Sequence, residues 1–357
     1  MRSTLFTIPF DVKIPLGPLG RWPLFGEGLL LAVWGVLLIA WLVREWRRNR
    51  FASVIPGSAI GWLVAGIAIH EVPRVVPNGI PVYGFGFLLF IGFLSATWFG
   101  SRRLRKHGYD GELAWDAAMW VFVGGIVGAR LFYVVQYRDK YFIAEKSLGE
   151  IIKSILMLPD GGLVFYGGMI LGTVAYFVFC WRRGLHPLEL ADLVAPCIFI
   201  GMMFGRLGCL MHGCCFGDPS NLPWAISFPA GSVPWEAQVV RGVIEETALR
   251  SLPLHPTQIY DSINGLLLTL LTLTYYPYRR HAGEVFALGW VAYPVSRFVV
   301  ELLRGDELGQ FGTTFTISQW VSMGMFASGL AFLVWLQRQT PSTPRAASAV
   351  TAAPATR

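Results

Sequence analysis

Long apolar runs separated by short polar segments dominate the pattern of this chain. A helix needs about 20 predominantly apolar residues to cross the hydrocarbon core of a bilayer. Nine runs approach that length, and they are continuous rather than alternating, which is typical of membrane helices and not of transmembrane strands. The runs cover residues 27–43, 54–72, 82–100, 115–136, 163–181, 190–210, 260–276, 284–303 and 315–336. The pattern therefore predicts an all-α, polytopic membrane protein.

Composition agrees with that fold class. Hydrophobic residues make up 54% of the 357 residues and charged residues only 14%, against roughly 25% in soluble domains. The net charge of +7 is spread over short loops between the apolar runs, so it does not indicate nucleic-acid binding. No basic segment leads directly into the first long run near Leu29, so we expect no cleavable signal peptide.

Basic residues mark alternate gaps between the runs. Short loops rich in Arg and Lys stay on the cytoplasmic side of a membrane, and the first, third, fifth and seventh gaps carry such residues. They are Arg44, Arg47, Arg48 and Arg50, then Arg102, Arg103, Arg105 and Lys106, then Arg182 and Arg183, then Arg279 and Arg280. This distribution predicts an outer N-terminus, a cytoplasmic C-terminus and an extracytoplasmic loop at residues 217–256. The tail after Arg338, rich in Ala, Ser, Thr and Pro, is expected to be disordered.

Residues 204–217 are the most unusual stretch, because they end an apolar run with a charge, several glycines and several thiols. Arg206 lies near the end of the run that covers residues 190–210. A charged side chain beside lipid is costly and usually serves a function. Clustered glycines at that depth indicate close backbone packing, or a helix that unwinds beside a cavity. We therefore expect the active or binding site around Arg206, on the outer face.

Two further arginines, Arg130 and Arg297, lie inside apolar runs. Tyr293, Arg297, Glu301 and Arg304 follow one another at steps of four, four and three residues, so they share one helical face. Few acidic residues lie within the runs to neutralise these arginines, which favours an anionic ligand. Arg binds phosphate in bidentate fashion, so a phospholipid head group is the expected ligand. The alternative is snorkelling or structural ion pairing, above all for Arg304 near the interface.

Two motifs on the predicted outer side also carry candidate site residues. Tyr166 precedes Gly167 and Gly168, and these glycines indicate close backbone approach and a shaped cavity rather than a simple interfacial aromatic residue. His255 opens a His-Pro-Thr-Gln turn at the start of the next helix. We expect His255 and Gln258 to cap that helix or to support the site, and a second hydrogen-bonding role is compatible with capping.

Cys209, His212, Cys214 and Cys215 lie within seven residues of one another. Structural zinc sites usually pair their ligands across a spacer, so this compact arrangement disfavours a metal, and we expect no metal and no cofactor. The outer face of the membrane is oxidising, and adjacent cysteines seldom bond each other. A disulfide from Cys209 to Cys214 or Cys215, and free thiols packed beside the site, therefore both stay open.

The order of these motifs resembles the prolipoprotein diacylglyceryl transferases of bacterial inner membranes. The resemblance runs from about Pro81 to Arg338. It rests on seven motifs in order: Tyr83-Gly, Gly-Ala-Arg130-Leu-Phe-Tyr, Gly-Gly-Leu-Val-Phe-Tyr166-Gly-Gly, Phe204-Gly-Arg-Leu-Gly, His255-Pro-Thr-Gln-Ile-Tyr, Tyr293 through Arg304, and Thr316-Ile-Ser-Gln. It implies a seven-helix core with about two added N-terminal transmembrane helices. The implied segments are an extension at 1–76, a transferase-like core at 77–338 and a cytoplasmic tail at 339–357.

The resemblance also implies a reaction. The family transfers the diacylglyceryl group of phosphatidylglycerol to the thiol of a lipobox cysteine in a prolipoprotein, and releases glycerol 1-phosphate. Arg206 and Arg297 fall on the family's two essential arginines, and Tyr293 falls on its essential tyrosine. The residues expected to bind lipid phosphate are Arg206, Arg297, Arg130 and Arg304, and those expected to support them are Glu301, His255 and Gln258.

The chain departs from the family at positions that bear on proton transfer. Tyr166 replaces the family's usual histidine, and an unperturbed Tyr, with a pKa of about 10, is a poor base at neutral pH. In the signature around Arg206, Cys209, His212 and Cys214 replace two amides and a carboxylate. His212 either takes over proton transfer or donates a hydrogen bond to the lipid head group. The alternatives are a divergent anionic-lipid-binding protein and, with less support, a transporter.

Overall fold

Two compact units make up the chain, residues 2–87 and residues 88–357. The computed structural model describes residues 4–8, 13–15, 21–23, 29–47, 66, 69, 80–141, 149, 162–304, 309–310 and 312–339. Helices account for most of these residues, which confirms the predicted all-α membrane fold. The boundary expected at residues 76 and 77 stays a prediction.

Short antiparallel ribbons belong to the first unit. Strand β1 (Thr4–Ile8) pairs with β4 (Ile80–Tyr83), and the register shifts by a bulge between Thr4 and Phe6. Strand β2 (Lys13–Pro15) pairs with β3 (Arg21–Pro23). The apolar pattern of the sequence did not predict these ribbons, because strands of three to five residues are too short to show an alternation.

One long helix of the first unit coincides with the first predicted span. Helix α1 covers Leu29–Arg47, where the apolar pattern predicts residues 27–43. The second predicted span, 54–72, lies outside the described residues apart from Gly66 and Ile69. The two added transmembrane helices therefore stay a prediction.

Seven long helices follow in the described part of the chain, and each coincides with one of the remaining predicted spans. They are α2 (Gly84–Lys106), α3 (Glu112–Gln136), α5 (Phe165–Arg183), α6 (Pro187–His212), α8 (Thr257–Tyr275), α9 (Glu284–Glu301) and α10 (Ile317–Gln337). The short helices α4 (Arg138–Tyr141) and α7 (Val233–Val240) lie between them. By length and composition, α2, α3, α6 and α10 are able to cross a membrane.

Glycines let α3 and α5 approach backbone to backbone. A Cβ atom added at Gly128 would overlap the carbonyl oxygen of Gly167, and one added at Gly167 would overlap that of Gly128. A Cβ atom at Gly168 would lie 3.0 Å from the carbonyl oxygen of Gly125. Small residues at such a seam let membrane helices pack closely. The close approach predicted from the two glycines after Tyr166 is thereby confirmed.

The segment between α6 and α8 folds around its own small apolar cluster. Phe216, Phe228 and Leu254 are buried together. A backbone bridge joins Ile226 to Leu254, with Ile226 N–H donating to Leu254 O at 3.0 Å and the reverse bond also at 3.0 Å. Residues 213–256 therefore form a compact cap at the end of α6 that carries Arg206.

Basic helix ends gather at the opposite end of α6, around Asp192. The Oδ2 atom of Asp192 accepts from Arg279 Nη1 at 3.0 Å and from Gly283 N–H at 2.8 Å. The guanidinium groups of Arg103 and Arg279 lie over the Tyr276 ring, 4.2 Å and 4.1 Å from its centroid. Basic residues from two of the predicted cytoplasmic gaps thus meet at one end of the helices, away from Arg206.

Candidate active site

Arg206 lies on the last turns of α6, directly before the chain turns into the cap. The helix ends at His212, and Gly213 follows with a φ of 82°, a left-handed conformation that favours glycine. The Gly213 N–H donates to Cys209 O at 2.8 Å and so closes the last turn. The guanidinium group of Arg206 reaches across to α8, where Nη1 lies 3.1 Å from Asp261 Oδ2.

Five charged side chains from α6, α8, α9 and the turn after α9 form a row of alternating sign. Asp261 Oδ2 lies between Arg206 Nη1, at 3.1 Å, and Arg297 Nη1, at 3.9 Å. Glu301 Oε2 lies between Arg297 Nη2, at 2.6 Å, and Arg304 Nη1, at 3.4 Å. This set, Arg206, Asp261, Arg297, Glu301 and Arg304, is named the charge row.

Few acidic residues were expected to neutralise these arginines, but in the structure Asp261 pairs with two of them. Among the described residues, three guanidinium groups face two carboxylates in the charge row. The Arg206 side chain is 18% exposed, against 7% for Arg297 and 6% for Arg304. Arg206 is therefore the arginine most open to a ligand.

One buried donor of the charge row lacks an acceptor. Arg297 Nη1 has no hydrogen-bond partner within the described residues, since Asp261 Oδ2 lies beyond hydrogen-bonding range at 3.9 Å. Arg206 Nη1 and Arg297 Nη1 both approach that oxygen, so Asp261 occupies the point that the two guanidinium groups share. An anionic group that reached Arg297 Nη1 beside Asp261 would satisfy the buried N–H, which is costly to leave unpaired.

Helix α10 fixes the position of Glu301. Thr316, the N-cap of α10, donates its hydroxyl to Glu301 Oε1 at 2.8 Å. Gln319 completes a capping box with Thr316, so the hydroxyl is held at a helix start. Ser318 Oγ accepts from Arg297 Nη2 at 3.2 Å. The Thr-Ile-Ser-Gln motif singled out in the sequence thus supplies contacts to the charge row that sequence reasoning did not assign.

The other predicted catalytic and phosphate-binding residues lie either near the charge row and the end of α6 or on the packed α3–α5 pair. Tyr293 is close enough to Arg206 to interact with it electrostatically, and His212 is the last, partly exposed residue of α6. Tyr166, 45% exposed on α5, packs its ring 5.9 Å from that of Phe165. Arg130 is buried on α3, where Nη1 donates to Gly162 O at 3.0 Å. The structure therefore groups Tyr293 with the charge row, and Tyr166 with Arg130 on the packed α3–α5 pair.

His255 joins the cap to the start of α8. The N-cap of α8 is Pro256, with no side-chain cap, so the capping alternative for His255 and Gln258 is not observed. The backbone of His255 accepts from Gly217 N–H at 3.0 Å and donates to Asp218 O at 3.0 Å. Gly217 is required here, because an added Cβ atom would lie 2.6 Å from the Cβ atom of His255.

Thr257 and Gln258, in the first turn of α8, hold the chain that follows α6. Thr257 Oγ1 donates to Cys215 O at 2.6 Å, and Gln258 Nε2 donates to Cys214 O at 2.8 Å. Both side chains are buried, and Gln258 Oε1 has no partner in the described part of the chain. The predicted supporting role of Gln258 is thus accompanied by a structural one.

Three thiols lie together beside the charge row. All five cysteines are free, and the Sγ atoms of Cys209, Cys214 and Cys215 lie within 4.8 Å of one another. These three residues are named the thiol cluster. Hydrogen bonds from the thiols of Cys209 and Cys214, with the nearby guanidinium groups of Arg304 and Arg206, lower the pKa of the Cys215 thiol. Of the two alternatives left open by the sequence, the structure contains free thiols.

Taken together, these residues define a class of protein: a multi-pass α-helical membrane protein with three largely buried guanidinium groups beside a set of thiols. Preorganised guanidinium groups in a site shielded from water stabilise negative charge as it develops on a reacting group.

Comparison with known proteins places the chain within that class. A model of the prolipoprotein diacylglyceryl transferase family matches residues 73–335. A phosphatidylglycerol–prolipoprotein diacylglyceryl transferase from Rhodopirellula baltica is 28% identical, over 96% of this chain and 91% of that protein. A protein of the same name from Clostridium tetani is 32% identical, over 71% of this chain and 92% of that protein. Another from Burkholderia ambifaria is 30% identical, over 77% of this chain and 95% of that protein. The chain belongs to the prolipoprotein diacylglyceryl transferase family.

Proposed function

We propose that this protein transfers the diacylglyceryl group of phosphatidylglycerol to the lipobox cysteine thiol of prolipoproteins and releases glycerol 1-phosphate. The observation that carries the proposal is the charge row, in which Arg297 Nη1 has no acceptor among the described residues. The names of the related proteins support the same two substrates.

In the proposed reaction, Arg206 and Arg297 hold the lipid phosphate from two sides. The acceptor thiolate attacks the glycerol carbon that bears the phosphate oxygen. A carbon–sulfur bond forms, the carbon–oxygen bond breaks, and its electron pair goes to the phosphate oxygen. The leaving glycerol phosphate gains one negative charge, which the guanidinium groups stabilise without rearrangement.

The remaining predicted site residues take supporting roles in this proposal. Tyr293 lies beside Arg206, where its hydroxyl is suited to hydrogen-bonding the phosphate. His212 accepts or donates the proton at the edge of the site, with Tyr166 shaping the lipid path along α5. Arg130 and Arg304 bind lipid phosphate at the flanks of the site, while Glu301, His255 and Gln258 keep the arginines and the cap in position.

The protein is a multi-pass membrane protein, and we propose the bacterial inner membrane with the Arg206 end facing outwards. The meeting of Arg103 and Arg279 at the other end of α6 supports this orientation, because basic residues favour the cytoplasmic side. The N-terminus then lies outside and the C-terminus in the cytoplasm. A secreted prolipoprotein would present its cysteine to the outward-facing cap.

The proposal is tested with the purified full-length protein in vesicles that contain labelled phosphatidylglycerol and a lipobox peptide. Mass analysis of the peptide should find one diacylglyceryl group on its cysteine. Arg206→Ala and Arg297→Ala should abolish the modification and still insert into the membrane. Arg183→Ala is the matched control, since Arg183 forms a partly exposed pair with Asp116 on the α3–α5 pair.

Full activity of either site variant would overturn the assigned roles. Lipid binding without a modified peptide would favour the alternative of a lipid-binding protein, and solute uptake by the vesicles would favour a transporter. In active protein, His212→Asn separates the two roles open for His212: loss of transfer indicates proton transfer, and retained transfer indicates a hydrogen-bonding role that an amide also fulfils.

A further inference from the structure

The thiol cluster has no part in the reaction as proposed so far, although it lies beside the charge row. Its three Sγ atoms come within 4.8 Å of one another, and all three residues are partly exposed. Cys209 follows Arg206 by one helical turn on α6. Cys215 is close enough to Arg206 and Arg304 to interact with both electrostatically.

The fold holds the thiol cluster mainly through its backbone, and the Cys214 thiol also donates to Cys209 O at 3.9 Å. Buried Thr257 and Gln258 donate to the carbonyl oxygens of Cys215 and Cys214, at 2.6 Å and 2.8 Å. Cys215 has a φ of 61°, and no other non-glycine residue in the described part of the chain has a positive φ. Such a conformation is unfavourable for a non-glycine residue and persists only where the surroundings fix it.

The positions of the three sulfurs suit a zinc ion. Thiolates bound tetrahedrally to Zn²⁺ at about 2.3 Å lie about 3.8 Å apart. Separations of at most 4.8 Å therefore need shifts of only about 1 Å to reach that geometry. Sequence spacing argues against a metal because the ligands crowd into one segment. The turn at Gly213 removes that objection, since it brings Cys214 N–H to 3.2 Å from Cys209 O.

Charge also favours a metal–thiolate group at this position. A zinc ion on three thiolates carries one negative charge. That charge would interact favourably with the guanidinium groups of Arg206 and Arg304, which are both close enough to Cys215 to interact with it electrostatically.

An acceptor thiol must lose its proton before it can act as a nucleophile. A free thiol has a pKa of about 8.5, so most of it is protonated at neutral pH. A thiol that coordinates zinc is deprotonated outright.

We propose that Cys209, Cys214 and Cys215 bind a zinc ion whose open fourth position takes the acceptor cysteine as a thiolate. The acceptor sulfur loses its proton to water as it binds the zinc, and then attacks the glycerol carbon of the phospholipid held by the charge row. The product thioether is a weaker ligand than a thiolate, so it leaves the metal. This inference rests on the proposed transferase function, and it adds a means of activating the acceptor.

Metal analysis of the full-length protein, purified from membranes without chelator, tests the site itself. The wild type should carry stoichiometric zinc, which Cys209→Ser, Cys214→Ser and Cys215→Ser should each lose. Cys197→Ser removes a thiol from the middle of α6, outside the cluster, and should keep the zinc. Zinc absent from the wild type, zinc kept by all three cluster variants, or a disulfide within the cluster would each overturn the proposal.

Cobalt substitution tests the open position without relying on activity. The absorption bands of Co²⁺ bound to thiolates respond to a change of ligand. Addition of a lipobox peptide should therefore shift the bands, whereas the same peptide with Ser in place of Cys should not. Bands that are insensitive to the cysteine peptide would overturn the role in acceptor binding, even if the metal is present.

The pH profile of transfer separates this inference from the proposed function. Zinc-activated transfer should be nearly constant from pH 7 to 9, whereas transfer by Cys215→Ser should rise as pH passes the ordinary thiol pKa of about 8.5. A wild-type rate that rises in the same way as the variant would refute zinc activation and leave the transferase assignment intact. Bound zinc with no transfer by the wild type would refute the proposed function on which this inference rests.

Discussion

Asp261 is expected to be the carboxylate on which Arg206 and Arg297, the two arginines proposed to bind the lipid phosphate, depend. Asp261→Asn keeps the shape of the side chain and removes its charge from contacts of 3.1 Å and 3.9 Å. At an effective dielectric constant of about 20, each contact contributes about 4–5 kcal/mol of Coulomb attraction. Desolvation offsets part of this, and removing one partner from a buried pair costs about 3–5 kcal/mol. At about 2 °C per kcal/mol, the thermal midpoint should fall by about 6–10 °C.

The same variant should respond strongly to anionic lipid. Phosphatidylglycerol supplies a phosphate at the point that the carboxylate has left, so its addition should raise the thermal midpoint of Asp261→Asn more than that of the wild type. Asp192→Asn is the matched control, because Asp192 is also buried and paired with an arginine, but at the other end of α6. It should lose stability without a specific response to the lipid. A stable Asp261→Asn protein, or equal lipid responses in the two variants, would refute the argument.

Three further predictions concern the packing around the site. Gly128→Ala should lower the thermal midpoint, because the added Cβ atom overlaps the backbone of α5. This loss should appear although Ala is the better helix former by about 1 kcal/mol. Gly324→Ala is the control and should not lower the thermal midpoint, since open space surrounds Gly324. Gly217→Ala puts a Cβ atom 2.6 Å from the carbonyl oxygen of Leu303 and should lower the free energy of unfolding by about 1–3 kcal/mol in a denaturation assay. Gly205→Ala should leave that free energy unchanged, because the nearest atom to its Cβ lies at 3.6 Å. Equal stability within either glycine pair would contradict the close approach. Thr316→Val removes the α10 cap and a hydrogen bond to Glu301 of the charge row, so it should lower the free energy of unfolding by about 1–2 kcal/mol and slow transfer. An unchanged rate would show that this hydrogen bond does not position the charge row.

The helices were predictable because membrane insertion imposes a simple requirement on sequence. A segment that crosses the bilayer must satisfy its backbone internally and stay apolar over about 20 residues. The runs at 190–210 and 315–336 therefore coincide with α6 and α10 to within a few residues. The ribbon between β1 and β4 was not predictable in this way, since it joins short segments more than 70 residues apart.

Arg206, Arg297 and their partner Glu301 were predictable, and the shared partner Asp261 was not. A guanidinium group inside an apolar run is conspicuous, so Arg206 and Arg297 were found from the sequence alone. Asp261 lies in the first turns of α8, where an acidic residue is ordinary near a helix N-terminus. Only the packing of α6 and α9 against α8 shows that it lies between two arginines.

The close approach of the three thiols was not predictable for a related physical reason. Sequence spacing reports the distance between ligands along the chain, whereas coordination depends on where a turn directs them. A left-handed residue at Gly213 and another at Cys215 fold six residues of chain back on themselves. Neither conformation is visible as a pattern of apolar and polar positions.

The first turn of α8 connects the two halves of the proposed chemistry. Thr257 and Gln258 hold the backbone of the thiol cluster. Asp261 follows Thr257 by four residues and Gln258 by three, so it lies on the same helical face. From there its carboxylate pairs with Arg206 and Arg297. One rigid helical turn therefore fixes the distance between the group that would bind the acceptor and the group that would bind the lipid phosphate. Because a misplacement of about 1 Å between reacting groups is enough to slow a reaction about 100-fold, this shared support has a direct kinetic consequence. Substitutions in this turn should lower the rate of transfer more than they lower binding of either substrate alone.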